Sequence, residues 1–398
     1  MFRVRCRARR KNRIRRHRVK ISAVRTHILE AALSQPFAYS RAWYASRTAM
    51  LVEIETDSGL TGWGECYGPA RMTAPVVDAM SRWLLGQNPL HTDRLWQQIY
   101  ADLRDHGQKG LVVEALSGID IALWGIKGKH FGVPVYDLFG GPLRTSVHAY
   151  ATGLYRRKRG NPLDYLSQEA AGYVRDGFHA VKLKVGFGVA DDVRAAQAVR
   201  EAIGPDVGLM IDANHAYDTV AAIELGRRVA GLDIGWFEEP VLPEDLAAYR
   251  AVKAALPMPI AGGECEFTRL GFRDMFATRA LDVVQPDICA AGGIGECKKI
   301  ADMAATFGIR YNPHVWGTGI GIAASLQLMA TLPTHTPTSL APLDPVLELD
   351  QTEHPIRQAI LKTPLTHVSG VVAIPDGPGL GIEIDRDALE AFRVRPSA

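Results

Sequence analysis

Eight ionisable side chains recur at the ends of short apolar segments in the second half of the chain. From Lys184 onward, successive groups are 23 to 34 positions apart, about the length of one strand followed by one helix. If the strands form a parallel barrel, their carboxyl ends meet on one rim, so we expect these side chains to converge there. The set comprises Lys182, Lys184, Asp212, Glu238, Glu264, Asp287, His314 and Glu348.

Three carboxylates in this set predict a metal site. Asp212, Glu238 and Glu264 follow three consecutive apolar segments, with no histidine or cysteine among them. An all-oxygen ligand set suits a hard divalent cation, Mg²⁺ first with Mn²⁺ as the alternative, and disfavours zinc. Three ionised carboxylates in a small space also repel one another unless a cation compensates them.

The remaining groups indicate proton transfer. Lys182 and Lys184 alternate along one strand and therefore share a face. One interpretation is a solvated edge strand; the other is that Lys182 lowers the pKa of Lys184 and makes it a base. Asp287 is expected to orient His314 and fix its tautomer. A lysine and a histidine around a metal-bound carboxylate predict removal or delivery of a proton at carbon α, with Mg²⁺ stabilising the enediolate.

The elements that carry these residues predict an α/β protein. Eight apolar runs alternate with helical patterns, which favours a (β/α)₈-type barrel over a doubly wound sheet, since no strand leads into a GxGxxG turn. Before them we expect an α+β unit: strands at Lys20–Leu29 and Ala49–Glu55 joined by a loop over Ser34–Arg47. Helices are expected around Ala74–Leu85, Thr92–Leu103 and Leu111–Lys129.

The motifs KLK, IDAN, WFEEP, GGE, QPD and NPHVWG, in this order, resemble those of the enolase superfamily, mandelate racemase subgroup. The resemblance extends from about Val19 to the end of the chain. It implies an N-terminal α+β capping domain at residues 19–142 and a modified (β/α)₇β TIM barrel at 143–349, with residues 350–398 returning to the capping domain. The muconate cycloisomerase subgroup is a poorer match, because its lysine after the sixth strand is replaced here by Ile288–Ala291.

The resemblance also implies the roles of individual residues. Asp212, Glu238 and Glu264 would be the metal ligands. The catalytic residues would be Lys184, His314, Asp287, Lys182 and Glu348. Expected substrate contacts are Asn214 and His215 just beyond Asp212, Trp316 beside His314, and Arg41 and Tyr67 from the capping loops. Cys265 and Cys289, near the rim, are interpreted as small packing residues.

Arginine-bearing capping loops and the resemblance predict an acid-sugar substrate. The expected reaction is α-proton abstraction followed by β-elimination, foremost the opening of an aldarolactone, as in galactarolactone cycloisomerases. Alternatives are an aldonate or aldarate dehydratase, and a racemase or epimerase of the mandelate racemase type. An inactive sugar-acid binding protein is a further alternative.

Composition separates the body of the protein from its first 18 residues. These hold nine arginines, one lysine and no acidic residue, so a formal charge of +3 for the whole chain leaves −7 for the rest. Residues 1–18 are interpreted as an over-extended translation start, a disordered tail, or a basic arm that binds nucleic acid. Apart from this third interpretation, nucleic acid is not an expected partner. With 47% hydrophobic residues, five scattered cysteines and no membrane-length apolar run, we expect a cytoplasmic enzyme, which the resemblance implies is a homo-oligomer, a dimer or octamer.

Overall fold

The computed structural model describes residues 19–335 and 344–395. The expectations about the basic residues 1–18 lie outside the described residues. Within the described ranges, no helix is both long and apolar enough to cross a membrane.

The first half of the chain forms an antiparallel sheet covered by helices. Its strands are β1 (Ile21–Ala38), β2 (Trp43–Thr56) and β3 (Thr61–Cys66), and its helices are α1 (Ala70–Leu84), α2 (Thr92–Leu103) and α3 (Leu111–Phe131). The three helices confirm the sequence prediction. The loop predicted over Ser34–Arg47 is wrong, because β1 and β2 resume pairing after an irregularity, with Phe37 opposite Tyr44. Only residues 39–42 remain as the hairpin turn.

Helix α3 connects this half to the rest of the molecule. It is apolar on all sides and most of its residues are buried, as expected for a helix enclosed by protein. Strand β3 approaches it closely: a Cβ at Gly64 would lie 1.8 Å from the carbonyl oxygen of Gly118. Asp120, on the same helix, accepts a hydrogen bond of 3.0 Å from the backbone N–H of Gly295 in the second half.

The second half is a barrel of eight parallel strands, all at the predicted apolar runs. They are β4 (Ser146–Gly153), β6 (Ala180–Lys184), β7 (Gly208–Asp212), β8 (Ile234–Glu238), β9 (Ile260–Gly262), β10 (Val283–Val284), β11 (Arg310–Tyr311) and β12 (Leu347–Asp350). Strand β12 pairs with β4, and next to β11 the backbone N–H of Val346 donates to Oδ1 of Asn312 at 3.0 Å. The short strand β5 (Arg156–Arg157) extends the antiparallel sheet by pairing with β1.

Helices alternate with the barrel strands. They are α4 (Pro162–Arg175), α5 (Val189–Ile203), α6 (Thr219–Val229), α7 (Leu246–Ala255), α8 (Thr268–Thr278), α9 (Gly293–Phe307) and α10 (Gly319–Met329). Their buried faces form one large apolar core with the strands.

The end of the chain contacts both halves. The hairpin β13 (His367–Val368) and β14 (Val371–Ala373) pairs with β4, and α11 (Arg386–Phe392) follows. Arg386 forms an ion pair with Glu53 of β2, and the backbone N–H of Val394 donates to Ile28 of β1 at 2.8 Å. The segment from Arg386 to Val394 therefore packs on the first sheet.

Candidate active site

Register across the barrel brings the ionisable groups together. Lys184, Asp212 and Glu238 are direct neighbours on β6, β7 and β8. Because strands of a parallel sheet end on the same side, these three side chains form a row at the carboxyl rim. Glu264 follows β9 on the same rim. One carboxylate oxygen from each of Asp212, Glu238 and Glu264 lies within 4.8 Å of the others.

The carboxylate cluster fits a divalent cation. Oε2 of Glu264 is buried and, among the described residues, has no hydrogen-bond partner. Burial raises the pKa of Glu264 to about 7, and Asp212 adds to the rise while His314 opposes it. A cation on these oxygens would replace the missing partner and relieve the repulsion between the carboxylates. The geometry and the donor set therefore suit a hard metal ion.

The two lysines of β6 differ in their surroundings. Lys182 is fully buried, with its Nζ 2.5 Å from Oε1 of Glu238 and 2.8 Å from Oε1 of Glu348. Lys184 donates to Asp212 and, at 3.0 Å, to the side-chain oxygen of Asn214. Burial lowers the pKa of Lys184 most strongly, but Asp212, Tyr155 and Glu264 together raise it by more, so the pKa lies above its ordinary value. Lys182 does lower the pKa of Lys184, as expected. The expectation that the pKa of Lys184 is low overall is wrong, because the surrounding protein groups together raise it.

Asp287 and His314 form the second proton-transfer pair. Nδ1 of His314 lies 2.7 Å from Oδ2 of Asp287, while its Nε2 lies 3.5 Å from Oε2 of Glu264. The other Asp287 oxygen accepts the backbone N–H of Cys289 at 2.6 Å, which fixes the carboxylate. Burial lowers the pKa of His314, but Glu264, Glu348 and Asp287 together raise it to about 10.

A cavity of about 270 Å³ lies above these groups. Lys184 and His314 both line it, and so do five of the other predicted site residues, Tyr67, Asn214, His215, Glu264 and Trp316. Tyr39, Tyr44, Tyr155 and Cys265 complete the wall. Tyr44 and Tyr155 were not predicted as site residues. Tyr155 lies two residues beyond the first barrel strand, so the strand-end rule that identified the other groups could have found it.

Several predicted residues lie outside the cavity wall. Asp287 is behind His314, and Lys182 and Glu348 are paired beneath the rim. Oε1 of Glu348 also accepts from the Thr152 hydroxyl at 2.6 Å, and Oε2 accepts the Val315 N–H at 3.1 Å. The structure thus gives Lys182 and Glu348 surroundings that favour a positioning role.

Capping residues close the cavity from above. Tyr67 contacts His314 edge-on with ring centroids 5.2 Å apart. The Trp316 ring, from the barrel, contacts Tyr44 at a centroid distance of 5.0 Å, and the guanidinium carbon of Arg47 lies 4.0 Å from its centroid. Arg41 does not line the cavity but donates to Nδ1 of His215 at 2.8 Å.

A second, larger cavity of about 360 Å³ lies at the opposite end of the barrel strands. Its wall includes Tyr150, Met210 and Trp236, which pack together in a small apolar cluster. The carboxylate cluster and the Lys184 and His314 side chains are not part of this wall. The proton-transfer chemistry therefore belongs to the smaller cavity at the carboxyl rim.

Comparison with known proteins identifies relatives over almost the whole chain. The mandelate racemase / muconate lactonizing enzyme N-terminal domain family matches residues 22–140, and the enolase C-terminal domain-like family matches residues 165–388. A D-galactarolactone cycloisomerase of Agrobacterium fabrum is 54% identical, covering 94% of this chain and 99% of the relative. An arabinonate dehydratase of Saccharolobus solfataricus is 34% identical, covering 86% of this chain and 90% of the relative.

Solved structures agree with these sequence relatives. The 3,6-anhydro-D-galactonate cycloisomerase from Zobellia galactanivorans matches with a TM-score of 0.86 at 39% identity, covering 94% of this chain and 100% of that one. A racemase from Streptomyces coelicolor with bound magnesium matches with a TM-score of 0.84 at 28% identity, covering 94% and 100%.

Proposed function

The chain belongs to the mandelate racemase / muconate lactonizing enzyme family of the enolase superfamily, and from this premise we propose that it opens an aldarolactone by Mg²⁺-dependent β-elimination. The observation that carries the proposal is the placement of Lys184 and His314 in the wall of one cavity, beside three clustered carboxylates. The 54% identical relative, a galactarolactone cycloisomerase, supports this substrate class.

The metal site in this proposal consists of Asp212, Glu238 and Glu264. When bound there, Mg²⁺, or Mn²⁺ as the alternative, supplies positive charge that stabilises the enediolate anion of the substrate carboxylate. Lys182 and Glu348, buried beneath the rim, hold Glu238 in place through the contact of Lys182 with both carboxylates. They act as positioning residues.

Lys184 is proposed as the base that removes the proton from carbon α. The electron pair of that C–H bond first enters the substrate carboxylate, giving the enediolate. It then forms the double bond between carbons α and β as the ring C–O bond at carbon β breaks. Its electrons leave with the lactone carboxylate, which needs little acid assistance because a carboxylate is a stable anion. The resulting enol takes up a proton at carbon β to give the deoxy-keto diacid. No atom is gained or lost overall, so the reaction is an isomerisation.

His314 is proposed as the second acid/base group, with Asp287 as its orienting partner. Because Nδ1 faces Asp287, Nε2 is the nitrogen directed at Glu264 and the cavity. From there His314 can donate the proton that carbon β receives.

The remaining cavity residues are proposed to bind the sugar acid. Asn214, His215 and Trp316 come from the barrel rim, and Tyr67 comes from the capping side. The indole N–H of Trp316 is buried and, within the described ranges, unpartnered, so it can donate to a substrate oxygen. Arg41 is proposed to contact the lactone carbonyl group, which becomes a carboxylate when the ring opens, after releasing His215.

A dehydratase is the second candidate. The acid position of His314 would also serve to protonate a departing hydroxide, and the 34% identical relative is an arabinonate dehydratase. A racemase or epimerase of the mandelate racemase type shares only the first proton transfer.

Proton NMR in D₂O, with Mg²⁺ and a panel of aldarolactones, aldarates and aldonates, tests the proposal. Conversion of a lactone to a deoxy-keto diacid with deuterium incorporated is the expected result. Loss of hydroxide from an open-chain acid would contradict lactone opening and indicate a dehydratase. Exchange of the α-proton without net product would indicate an epimerase. We also expect a homo-oligomer, a dimer or octamer, in the cytoplasm, which light scattering and cell fractionation test.

A further inference from the structure

Three side chains directly beside the proposed magnesium ligands form a second cluster with different donor atoms: His215, Glu239 and Cys265. One potential ligand atom of each lies within 4.8 Å of the other two. Glu239 and Cys265 immediately follow Glu238 and Glu264 along the chain. Because neighbouring residues at the end of a strand direct their side chains differently, the two clusters can lie side by side on one rim.

Glu239 is the unusual member of this cluster. It is 0% exposed, and neither of its carboxylate oxygens has a hydrogen-bond partner in the part of the chain that the structure describes. A buried carboxylate without partners is costly in free energy. Its Oε2 lies 3.9 Å from Nε2 of His215, too far for a hydrogen bond. Both oxygens are therefore free to bind a ligand within the cluster.

The backbone around this cluster is strained. Glu239 has a φ of +41°, and Asn214 and His215 have φ values of +43° and +51°, in the left-handed region that non-glycine residues rarely occupy. The backbone N–H of His215 donates to the carbonyl of Glu239 at 2.7 Å, which joins the two strained segments. Strain of this kind concentrates at functional sites.

We propose that His215, Glu239 and Cys265 bind a transition-metal cation of the Zn²⁺ type beside the magnesium centre, and that this binding inhibits the enzyme. Imidazole nitrogen, thiolate sulfur and carboxylate oxygen are the ligands that Zn²⁺ takes in proteins, whereas Mg²⁺ takes oxygen. The inhibition rests on the proposed function, because His215 and Cys265 line the cavity that holds Lys184 and His314.

Arg41 would compete with the cation. It donates to Nδ1 of His215 at 2.8 Å, so that nitrogen must present a lone pair. An imidazole bound to a metal through Nε2 carries its proton on Nδ1 and repels this donor. Cation binding and the Arg41 contact therefore exclude each other, and Arg41→Ala is expected to strengthen binding.

The binding test uses the full chain with saturating Mg²⁺ and Cd²⁺ as a probe, because a cadmium–thiolate bond gives an ultraviolet charge-transfer band. We expect one Cd²⁺ per chain, with the band lost in Cys265→Ser and kept in the matched control Cys289→Ser. Competition with a chromophoric chelator gives the Zn²⁺ affinity. His215→Gln and Glu239→Gln should each weaken it by more than about tenfold, since even a supporting partner of a ligand contributes that much.

Thermal melting of each variant checks that it is folded. A band that persists in Cys265→Ser overturns the site, as does a Zn²⁺ affinity unchanged in folded His215→Gln and Glu239→Gln, which would mean binding by a lone thiol. With an active substrate, half-inhibition by Zn²⁺ should require at least about tenfold more metal in Cys265→Ser. Absence of turnover with every acid sugar would contradict the proposed function and leave the cadmium result intact.

Discussion

Asp287 and His314 are joined twice, by their backbones and by their side chains. They form a parallel β-bridge between consecutive strand ends, and Nδ1 of His314 lies 2.7 Å from Oδ2 of Asp287. The backbone bridge sets the distance at which the side chains can meet, so the tautomer of the imidazole is determined by the fold. The nitrogen left for proton transfer is Nε2.

Asp287→Asn is expected to lower kcat by about 10²- to 10⁴-fold, the contribution typical of general acid–base catalysis, because the amide can donate to Nδ1 and select the wrong tautomer. KM should change little, since Asp287 lies outside the cavity wall. Steady-state kinetics and the Tm of the variant measure both effects. A kcat close to that of the wild type would show that Asp287 does not orient His314.

Lys184→Ala and His314→Asn separate the two proton transfers. If Lys184 removes the α-proton, Lys184→Ala should abolish both turnover and exchange of that proton with D₂O. His314→Asn should slow product formation by at least about 10²-fold while leaving α-proton exchange detectable. NMR in D₂O measures both quantities on the same sample. Lys158→Ala, at an exposed lysine, is the matched control and should retain both activities. Wild-type exchange in Lys184→Ala would move the first step to another residue.

Glu238→Gln should abolish binding of Mg²⁺ or Mn²⁺ and turnover together. Both oxygens of Glu238 already accept hydrogen bonds, from Lys182 on one side and from Trp236 and Gln285 on the other. In Glu238→Gln, the amide nitrogen would replace one of these oxygens and face a hydrogen-bond donor. The substitution also removes one carboxylate charge from the cluster. Electron paramagnetic resonance of added Mn²⁺ reports the binding directly. The exposed Glu244→Gln serves as the control. Unchanged Mn²⁺ affinity in folded Glu238→Gln would exclude Glu238 as a ligand.

The barrel was predictable because its sequence signals are local. From the second barrel strand to the eighth, each strand is a short apolar run that contains an ionisable residue near its end or is followed by one within three residues. These groups recur with the length of one βα unit. Asp212 and Glu238 are therefore adjacent in the structure because their strands are consecutive. The same argument explains why the carboxylate cluster could be inferred without coordinates.

Other features depend on contacts between distant parts of the chain. The hairpin through Phe37 and Tyr44 re-forms only after an irregularity in the pairing of β1 with β2. Pro36, within that irregularity, indicates a break in the strand, but the renewed pairing beyond it has no local signal. Tyr44 was missed because an aromatic residue in a strand usually packs in the core, and Tyr155 because the strand-end rule was applied to ionisable groups from the second barrel strand onward. Lys182 lies on the same face as Lys184 but deeper, and alternation along a strand does not give that depth.

Asp120, between α3 and α9, provides a pH-dependent test of stability outside the active site. Burial raises its pKa to about 7, and the N–H of Gly295 only partly opposes this. A carboxyl group with a folded-state pKa above its unfolded value stabilises the fold below that unfolded value, near 4, and loses the contribution as pH rises to about 7. Asp120→Asn, which can still accept from Gly295, removes the cost of the buried charge.

We expect the Asp120→Asn variant to be more stable than the wild type at pH 8, by about 2 kcal/mol in the free energy of unfolding, and the difference to shrink as pH falls toward 5. The Tm measured across this pH range tests the trend. Asp376→Asn, at a carboxylate near the surface in the last segment, is the matched control and should show no such trend. The opposite trend, in which Asp120→Asn is destabilised relative to the wild type at pH 8 but not at pH 5, would contradict this. It would mean that Asp120 is ionised and contributes favourably to the contact between α3 and α9.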